Sequence, residues 1–276
     1  MEMGFIEIGD EEYQDLLMAI LQQYSYDFSG YSKASMKRRI SRFLINKNLG
    51  TLRELKLRIL ADADYFDFFL EEVTVNVTEM FRDPSFYLSL RKNVVPYLKT
   101  YPFVRIWDAG CSTGEEAYSL AMLFKEEAIL ARSRFYATDI NGKVLQTAKE
   151  GIYPISCMKE YSRNYIKAGG LYSLSDYYHA RYNRAIMDSE LSKNFLFSVH
   201  NLVHDGSFNE FNLIVCRNVL IYFQKELQEK VLELFMDSLP VFGFLALGNK
   251  ESLRFSKIEK YFQVIDHKEK IYRRIN

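Results

Sequence analysis

The chain has 276 residues, of which 48% are hydrophobic and 26% are charged, a composition that excludes a disordered protein and allows a sizeable core. Lysine and arginine together number 36, as do aspartate and glutamate, so no global charge favours nucleic acid or an anionic membrane. The three cysteines are too few and too scattered for a disulfide framework or a zinc site, and we expect no metal. No apolar run of about 18 residues occurs, and the acidic N-terminus lacks a signal-peptide pattern. We therefore expect a cytoplasmic protein without membrane insertion.

Apolar residues recur at helical spacing between residues 10 and 100. Thr51 fits the N-cap position of one of these helices, because it follows an Asn-Leu-Gly stop. The predicted helices cover 11–23, 33–47, 51–60, 64–72 and 84–99. We therefore predict an N-terminal helical domain with its linker over residues 1–92.

From residue 103 the pattern changes to β-rich apolar runs separated by helical segments. The predicted strands cover 104–110, 134–140, 195–202, 211–223 and 243–248, with a terminal hairpin over 262–275. Alternating strands and helices indicate an α/β domain over residues 93–276, with a mostly parallel, Rossmann-like sheet. Residues 151–194 interrupt this alternation. Because they are Tyr-rich and too long for a loop, we predict a small, β-rich inserted subdomain there.

A glycine-containing turn, Asp-Ala-Gly-Cys-Ser-Thr-Gly-Glu-Glu at 108–116, lies between the first strand and the following helix. Gly110 lets the backbone approach a ligand closely, and the helix N-terminus offers free N–H groups. Asp139 ends the next strand, where a carboxylate can accept both hydroxyls of an adenosine ribose. The dinucleotide motif is absent, and Glu115 and Glu116 would repel a pyrophosphate but suit a sulfonium and an ammonium. These features favour S-adenosylmethionine as the cofactor.

The same turn also matches Gly-x-Ser-x-Gly, the nucleophile elbow of α/β-hydrolases, with Ser112 as the nucleophile. Asp139, His200, His204 and His267 follow it in a permissible order. Against a hydrolase, the turn follows the first strand of its sheet, and no His-Gly-Gly oxyanion motif precedes it. A hydrolase is therefore a distant alternative.

Polar residues flank apolar elements at three further places. Asn76, Thr78 and Arg82 precede the sheet domain and include a guanidinium, which binds carboxylates bidentately. The segment Cys-Arg-Asn-Val-Leu-Ile-Tyr-Phe at 216–223 lies at the end of a strand, where open α/β sheets bind ligands. Asn201 and Leu202 end another strand at the same edge. A helix start with a surface salt bridge and a core tyrosine are the alternative readings of the first two segments.

Five motifs in this order resemble the chemotaxis receptor (methyl-accepting protein) glutamate O-methyltransferase family. They are Asn-x-Thr-x-Met-Phe-Arg from residue 76, the turn at 108–116 with its helix, Ala-Thr-Asp-Ile at 137–140, His-Asn-Leu at 200–202 and the segment 211–223. The resemblance implies a class I methyltransferase fold that moves a methyl group from S-adenosylmethionine to glutamate side chains and releases S-adenosylhomocysteine. It implies cofactor contacts from Asn76, Thr78, Arg82, Glu115, Asp139, Asn201, Leu202, Cys216, Arg217 and Asn218. It also implies that Arg82 and Tyr222 are close to the transferred methyl group.

The family's substrate is the helical cytoplasmic domain of a methyl-accepting chemotaxis receptor, so the resemblance implies a cationic partner surface. The predicted helix 33–47 carries such a surface in Lys37, Arg38, Arg39 and Arg42. A solvated charged face and a nucleic-acid patch are the alternatives. The balanced net charge argues against nucleic acid, as does the absence of adjacent prolines, which an Asn-Pro-Pro-Tyr motif requires. We expect a monomer without a nucleic-acid partner.

The sequence departs from the family at two places. Gly-Asn-Lys-Glu at 248–251 stands where the family often has Gly-His-Ser-Glu. Segment 151–194 takes the place of a β-subdomain that docks a receptor's C-terminal peptide in some members, and it does not clearly preserve that module. We therefore predict that methylation does not depend on a tethering peptide. A non-catalytic adaptor that binds S-adenosylmethionine is the alternative to an enzyme, and the retention of Arg82 and Tyr222 favours the enzyme.

Overall fold

The computed structural model describes residues 6–74 and 78–276. These residues form two compact units. The smaller unit contains the described residues up to 74 together with Tyr222–Lys230, and the larger contains residues 78–221 together with Val231–Asn276. Within the described residues, no helix is long and apolar enough to cross a membrane.

The described part of the smaller unit contains four complete helices, at the positions that the apolar periodicity predicts. They are α1 (Asp10–Tyr24), α2 (Lys33–Asn46), α3 (Leu52–Ala61) and α4 (Ala63–Val73). The N-cap prediction for α3 is confirmed, because the hydroxyl of Thr51 accepts a hydrogen bond from the N–H of Glu54 at 3.2 Å. Aromatic packing joins α1 to α4, where the rings of Tyr24 and Phe66 stack with centroids 3.9 Å apart.

The prediction of one helix over 84–99 is wrong. The segment forms two helices, α5 (Pro84–Asn93) and α6 (Val95–Leu98). Between them Val94 leaves ideal helical geometry, with a φ of −115°. Pro96 explains the break, since proline has no N–H to continue the helical hydrogen bonds and its ring restricts the residue before it. Both helices lie in the larger unit.

Ten strands and five more helices follow along the described chain. The strands are β1 (Val104–Ala109), β2 (Ser133–Asp139), β3 (Ile152–Pro154), β4 (Tyr178–Arg181), β5 (Arg184–Met187), β6 (Phe195–Val199), β7 (Leu213–Cys216), β8 (Phe244–Leu247), β9 (Phe262–Asp266) and β10 (Ile271–Arg274). The helices are α7 (Glu115–Glu126), α8 (Gly142–Glu150), α9 (Met158–Lys167), α10 (Ser189–Ser192) and α11 (Lys225–Asp237). The α/β fold class that the sequence predicts is confirmed.

Seven of these strands form one sheet in the order β6-β2-β1-β7-β8-β10-β9. The first five are parallel to one another, and β10 is antiparallel to both of its neighbours. The central strand β1 pairs with β2 on one side and with β7 on the other, so the sheet has a topological switch point there. In open α/β sheets ligands bind beyond the carboxyl ends of the strands at such a point. Asp108, Asp139 and Cys216 lie at these strand ends.

Residues 151–194 contain β3, α9, β4, β5 and α10. The three strands form a separate antiparallel sheet in the order β3-β5-β4. A buried carboxylate, that of Glu126 at the end of α7, fixes this segment to the rest of the larger unit. It accepts hydrogen bonds from the hydroxyls of Tyr165 and Tyr177 and forms an ion pair with Arg91 of α5. Because a buried carboxylate is costly unless it is paired and hydrogen-bonded, these contacts hold the inserted segment firmly in place.

Candidate active site

The turn between β1 and α7 has a backbone that only glycine can adopt at two positions. Gly110 has a φ of +87°, and a Cβ there would lie 2.4 Å from Cγ2 of Val219. Gly114 has a φ of +94°, and a Cβ there would lie 2.8 Å from the Cβ of Ala148. Ser112 between them also has a positive φ, +50°. The turn is therefore compact, and its glycines let Val219 and Ala148 pack closely against its main chain.

Asp139 ends β2 beside this turn. Its Oδ2 accepts a hydrogen bond from the N–H of Ser112 and its Oδ1 accepts one from the N–H of Asn141, both at 3.0 Å. Burial raises the pKa of Asp139, and the backbone donors at Asn141 and Ser112 act in the opposite direction. The carboxylate is thus held rigidly, and its remaining lone pairs can accept the hydroxyls of a ribose.

The arrangement does not support a Ser-His-Asp triad at Ser112. The carboxylate of Asp139 is engaged by backbone amides rather than by an imidazole. His200 packs edge-to-face against Trp107, with centroids 5.1 Å apart, and its Nε2 lies 3.4 Å from the carbonyl oxygen of Gly206. The acid is thus bound to backbone N–H groups, that of Ser112 included, and His200 is bound to neither the acid nor the serine by these contacts, so the geometry disfavours the hydrolase alternative.

Glu115, the first residue of α7, is only 5% exposed. Its Oε2 accepts a hydrogen bond from the hydroxyl of Thr113 at 2.6 Å, and its Oε1 lies 3.4 Å from the hydroxyl of Tyr161. Burial raises the pKa of Glu115, and these hydrogen bonds oppose that effect. A buried carboxylate in this position is suited to an ammonium group. Tyr161 belongs to the inserted segment, and nothing in the local sequence pairs it with Glu115.

Arg217 follows β7 and lies in a buried ion-pair network. Its Nη2 is 2.7 Å from Asp83 and its Nη1 is 2.7 Å from Glu116, while its guanidinium lies 4.1 Å from the ring centroid of Phe86. The side chain is only 2% exposed. Burial lowers the pKa of Arg217, but the carboxylates, chiefly Glu116, raise it overall, so the residue stays charged. Arg217 therefore fixes acidic residues around the turn.

Asp108 is the second-last residue of β1, at the start of the same turn. It is 1% exposed, and among the described residues neither of its carboxylate oxygens has a hydrogen-bond partner. Burial, followed by the negative charges of Glu116 and Asp139, raises the pKa of Asp108 well above its usual range. Glu116 and Asp139 thus disfavour ionisation of Asp108, Arg217 partly offsets them, and further positive charge beside the turn would be stabilised.

The segment before α5 is strained. Phe81 and Asp83 have φ values of +54° and +56°, which are rare for residues other than glycine. The N–H of Phe81 donates to the hydroxyl of Ser119 on α7 at 2.9 Å. This bond holds the segment against the helix that follows the turn at 108–116, called the cofactor turn below. Thr78 and Arg82 are half-buried here, and Asn76 lies outside the described residues. Such strain clusters at functional sites.

The loop after β7 is held by Glu251, whose role the sequence does not reveal. Its buried carboxylate accepts hydrogen bonds from the N–H groups of Gly248 at 2.6 Å, Asn218 at 3.1 Å and Ile221 at 3.3 Å. Asn218 itself has a φ of +62°. Glu251 of the turn at 248–251 thus fixes the backbone of the loop after β7. The two central residues of the turn depart from the family pattern, but its glutamate does not. Cys216 is buried beneath this loop.

The remaining strand end, after β6, carries Asn201 and Leu202. The side-chain oxygen of Asn201 accepts a hydrogen bond from the N–H of Val203 at 2.9 Å, and its own N–H donates to Asp205 at 2.7 Å. Asn201 therefore fixes the turn that follows the strand. Leu202 is half-buried.

The smaller unit contains Tyr222 and the basic residues of α2. Tyr222 is half-buried, and the guanidinium of Arg39 lies 4.4 Å from its ring centroid. Arg39 also donates to the carbonyl oxygen of Val73 at 2.9 Å. Lys37 contacts Asp10 at 2.6 Å, and hydrogen bonds from Lys33 and Lys37 lower the pKa of Asp10 to about 2. Lys37 and Arg39 are therefore engaged within the protein.

Arg38 and Arg42 differ from their neighbours on α2. Both are exposed, and neither forms an ion pair with the part of the chain that the structure describes. They are four residues apart and so lie on one face of the helix.

The strand order, the switch point and the acidic turn beside Asp139 define a class I S-adenosylmethionine-dependent methyltransferase. Among the described residues, no group of three or more side chains is placed to hold a metal ion.

The chain belongs to the CheR methyltransferase family. Residues 11–74 match the all-alpha domain of that family, and residues 76–271 match its SAM binding domain. The chain is 48% identical over 265 residues to the putative methyltransferase Cher3 of Pseudomonas putida, covering 96% of this chain and 97% of that protein. It is 31% identical over 251 residues to the chemotaxis protein methyltransferase of Listeria monocytogenes, covering 88% and 91%. It is also 31% identical over 206 residues to that of Salmonella typhimurium, covering 71% and 66%.

Proposed function

We propose that this protein transfers the methyl group of S-adenosylmethionine to glutamate side chains on the helical cytoplasmic domain of a chemotaxis receptor, forming methyl esters. The observation that carries this proposal is the rigid acidic site of Glu115 and Asp139, in a chain matched almost throughout by the CheR family. We propose that the enzyme acts in the cytoplasm, because such receptor domains lie there, and that it acts as a monomer.

The residues of the site fit this cofactor. Asp139 has acceptor capacity for the ribose hydroxyls, Glu115 offers a carboxylate for the methionyl ammonium, and Gly110 keeps the turn between them compact. We propose further contacts from Asn76, Thr78, Arg82, Asn201, Leu202, Cys216 and Asn218. For Arg217 we propose an indirect contribution, in which its ion pairs hold Glu116 and Asp83 in place.

The reaction needs little acid–base chemistry. When bound, the cofactor supplies an electrophilic methyl group on a sulfonium. A glutamate carboxylate, with an ordinary pKa of about 4.3, is already ionised at neutral pH and can attack without a general base. The protein has to align the carboxylate oxygen with the methyl group and exclude water from it. We propose that Arg82 and Tyr222 donate hydrogen bonds that orient this oxygen.

We propose that the receptor binds to the exposed basic face of α2, which carries Arg38 and Arg42. A helix that bears methylation sites carries glutamates, and the exposed guanidinium groups of Arg38 and Arg42, which form no ion pair within residues 6–74 and 78–276, complement that charge. Lys37 and Arg39 contribute by fixing the face, through Asp10 and through Tyr222.

Methyl transfer from labelled S-adenosylmethionine to purified receptor cytoplasmic domains tests the proposal. The expected result is incorporated label that mild base releases as volatile methanol, as a carboxyl methyl ester requires. A receptor domain whose candidate glutamates are replaced by alanine is the matched control and should stay unlabelled. Label that resists base would overturn the proposal in favour of nitrogen or nucleic-acid methylation, and cofactor binding without transfer to any receptor would favour the adaptor.

Two substitutions separate an enzyme from an adaptor. Tyr222→Phe and Arg82→Ala should each lower kcat by about 10-fold or more, because each removes a donor that acts on the transferring group. Binding of S-adenosylmethionine, measured by calorimetry, should change much less in Tyr222→Phe. A loss of cofactor affinity as large as the loss of turnover would contradict the assignment of Tyr222 to the transfer step.

A further inference from the structure

The inserted segment reaches the cofactor turn directly. The hydroxyl of Tyr153, on β3, donates to the carbonyl oxygen of Thr113 at 2.8 Å. The hydroxyl of Tyr161, on α9, lies 3.4 Å from Oε1 of Glu115. We propose that the inserted segment is part of the cofactor site and that Tyr161 is a positioning residue, which holds Glu115 for the cationic amino end of S-adenosylmethionine. This inference rests on the proposed cofactor site.

The side-chain donors to the carboxylate of Glu115 come from outside its own helix. Thr113 supplies a donor to only one carboxylate oxygen, Oε2, at 2.6 Å. Glu115 is only 5% exposed, Tyr161 supplies a side-chain donor to the other oxygen, Oε1, and a buried acceptor that loses a donor is destabilised. One side-chain donor at each oxygen restricts both the position and the orientation of the carboxylate. That orientation is what recognition of an ammonium group demands.

Tyr161 is suited to this task by its surroundings. It is 7% exposed, and burial, reinforced by the negative charge of Glu115, raises its pKa, so the phenol remains a donor. Asn164 on the same helix donates to the carbonyl oxygen of Met80 at 3.2 Å, next to the strained segment before α5. Four residues beyond Tyr161, Tyr165 donates to the buried carboxylate of Glu126.

The two ends of α7 are therefore both held by α9. Glu115 is the first residue of α7 and Glu126 is the last, and each accepts from a tyrosine on α9. Residues 161 and 165 are one helical turn apart and so lie on the same face of α9. The hydrogen bond from Tyr165 to Glu126 fixes α9 against α7. The hydrogen bond from Tyr161 then holds the carboxylate of Glu115 in place in the site. A segment that the sequence sets apart as an insertion thus helps to set cofactor affinity.

The test is Tyr161→Phe in the full chain, with equilibrium binding measured for two ligands. S-adenosylmethionine carries the amino acid end, and methylthioadenosine lacks it but keeps the adenosyl group. We expect the Kd of S-adenosylmethionine to rise about 3- to 10-fold, the effect of one lost hydrogen bond. The Kd of methylthioadenosine should not change. Tyr172→Phe, at an exposed tyrosine of the same segment, should change neither Kd.

Two further variants keep the test decisive. Thr113→Val removes the other donor to Glu115 and should produce the same selective loss, even if Tyr161→Phe folds poorly. In a Glu115→Gln background, Tyr161→Phe should have a much smaller effect, because the carboxylate that it positions is gone. With saturating cofactor, Tyr161→Phe should keep its kcat for receptor methylation, so that only the KM for S-adenosylmethionine rises.

Equal weakening of both ligands, or no weakening of S-adenosylmethionine, would overturn the positioning role of Tyr161. Neither result would affect the assay of receptor methylation by the unmodified chain, so a failure here is distinguishable from a failure of the proposed function. If Glu115→Gln itself does not weaken S-adenosylmethionine relative to methylthioadenosine, the assignment of Glu115, and with it this inference, is wrong.

Discussion

The cofactor end of the sheet and the basic face of α2 both use charge, but they hold it in different ways. Glu115 and Asp139 are enclosed and fixed by hydrogen bonds, whereas Arg38 and Arg42 are exposed and form no ion pair among the described residues. Enclosed charges are poorly screened and each has a large effect, while exposed charges are screened by salt and each contributes little. Cofactor binding should therefore depend on single residues and hardly on salt. Receptor binding should instead depend on several residues together and weaken as salt is added.

The largest expected effect is on stability, at the buried network around Arg217. Arg217→Ala leaves Glu116 and Asp83 without their cation, and breaking a buried ion pair from one side costs about 3 kcal/mol. Urea denaturation followed by circular dichroism should show this loss in the free energy of unfolding. Arg42→Ala, which removes an exposed arginine, is the control and should cost less than about 0.5 kcal/mol. Similar losses in both variants would contradict the contrast between the two regions.

The next effect is on cofactor affinity. Asp139→Ala removes the proposed ribose acceptors and leaves the N–H groups of Ser112 and Asn141 without their partner. We expect the Kd of S-adenosylmethionine to rise about 100-fold, since hydrogen bonds to a charged group are lost and buried donors become unsatisfied. Asp139→Asn, which keeps one acceptor oxygen, should weaken binding less. Calorimetry in low and high salt should give the same ratio, and a loss that disappears in high salt would count against an enclosed site.

A smaller effect is expected on receptor binding. Arg38→Glu and Arg42→Glu should together raise the KM for the receptor domain about 10-fold at low ionic strength, by replacing attraction with repulsion. The KM for S-adenosylmethionine should not change. Arg53→Glu on α3 reverses an exposed arginine elsewhere on the same unit and is the matched control. If it raises the KM as much, the effect belongs to overall charge and the basic face is not the docking surface.

The smallest effect concerns the receptor's C-terminal tail. Because the inserted segment does not clearly preserve a peptide-docking module, removal of that tail should change the rate of methylation by less than about 2-fold. The comparison uses intact and truncated receptors at equal concentration, below the KM, where a tether acts by raising effective concentration. A much slower reaction with the truncated receptor would show that the tail matters.

The cofactor turn could be predicted from sequence because its requirements are local. Gly110 must adopt a positive φ, and Asp139 must end a strand, so both leave a short motif. Tyr161 and Glu251 left no such motif. Tyr161 meets Glu115 across 46 residues, and Glu251 meets Asn218 across 33, so only the folded chain brings them together.

For the basic face of α2 as well, the partners of individual residues could not be predicted from sequence. Helical periodicity places Lys37, Arg38, Arg39 and Arg42 on the polar side of the helix, but it cannot show which of them has an acidic or aromatic neighbour. Asp10 and Tyr222 are distant in sequence and engage two of the four. The one helix prediction that was wrong has a local cause, since Pro96 is sufficient to divide 84–99 into α5 and α6.

Tandem mass spectrometry of a receptor cytoplasmic domain, after incubation with the protein and S-adenosylmethionine, shows directly whether glutamate side chains are methylated. We expect the mass of one methylene group to be added to peptides from the receptor's helices, on the side chain of glutamate, and the Asp139→Ala variant to add far less at the same subsaturating cofactor concentration. Methylation of lysine, or of any side chain other than glutamate, would show that this protein is not a glutamate O-methyltransferase.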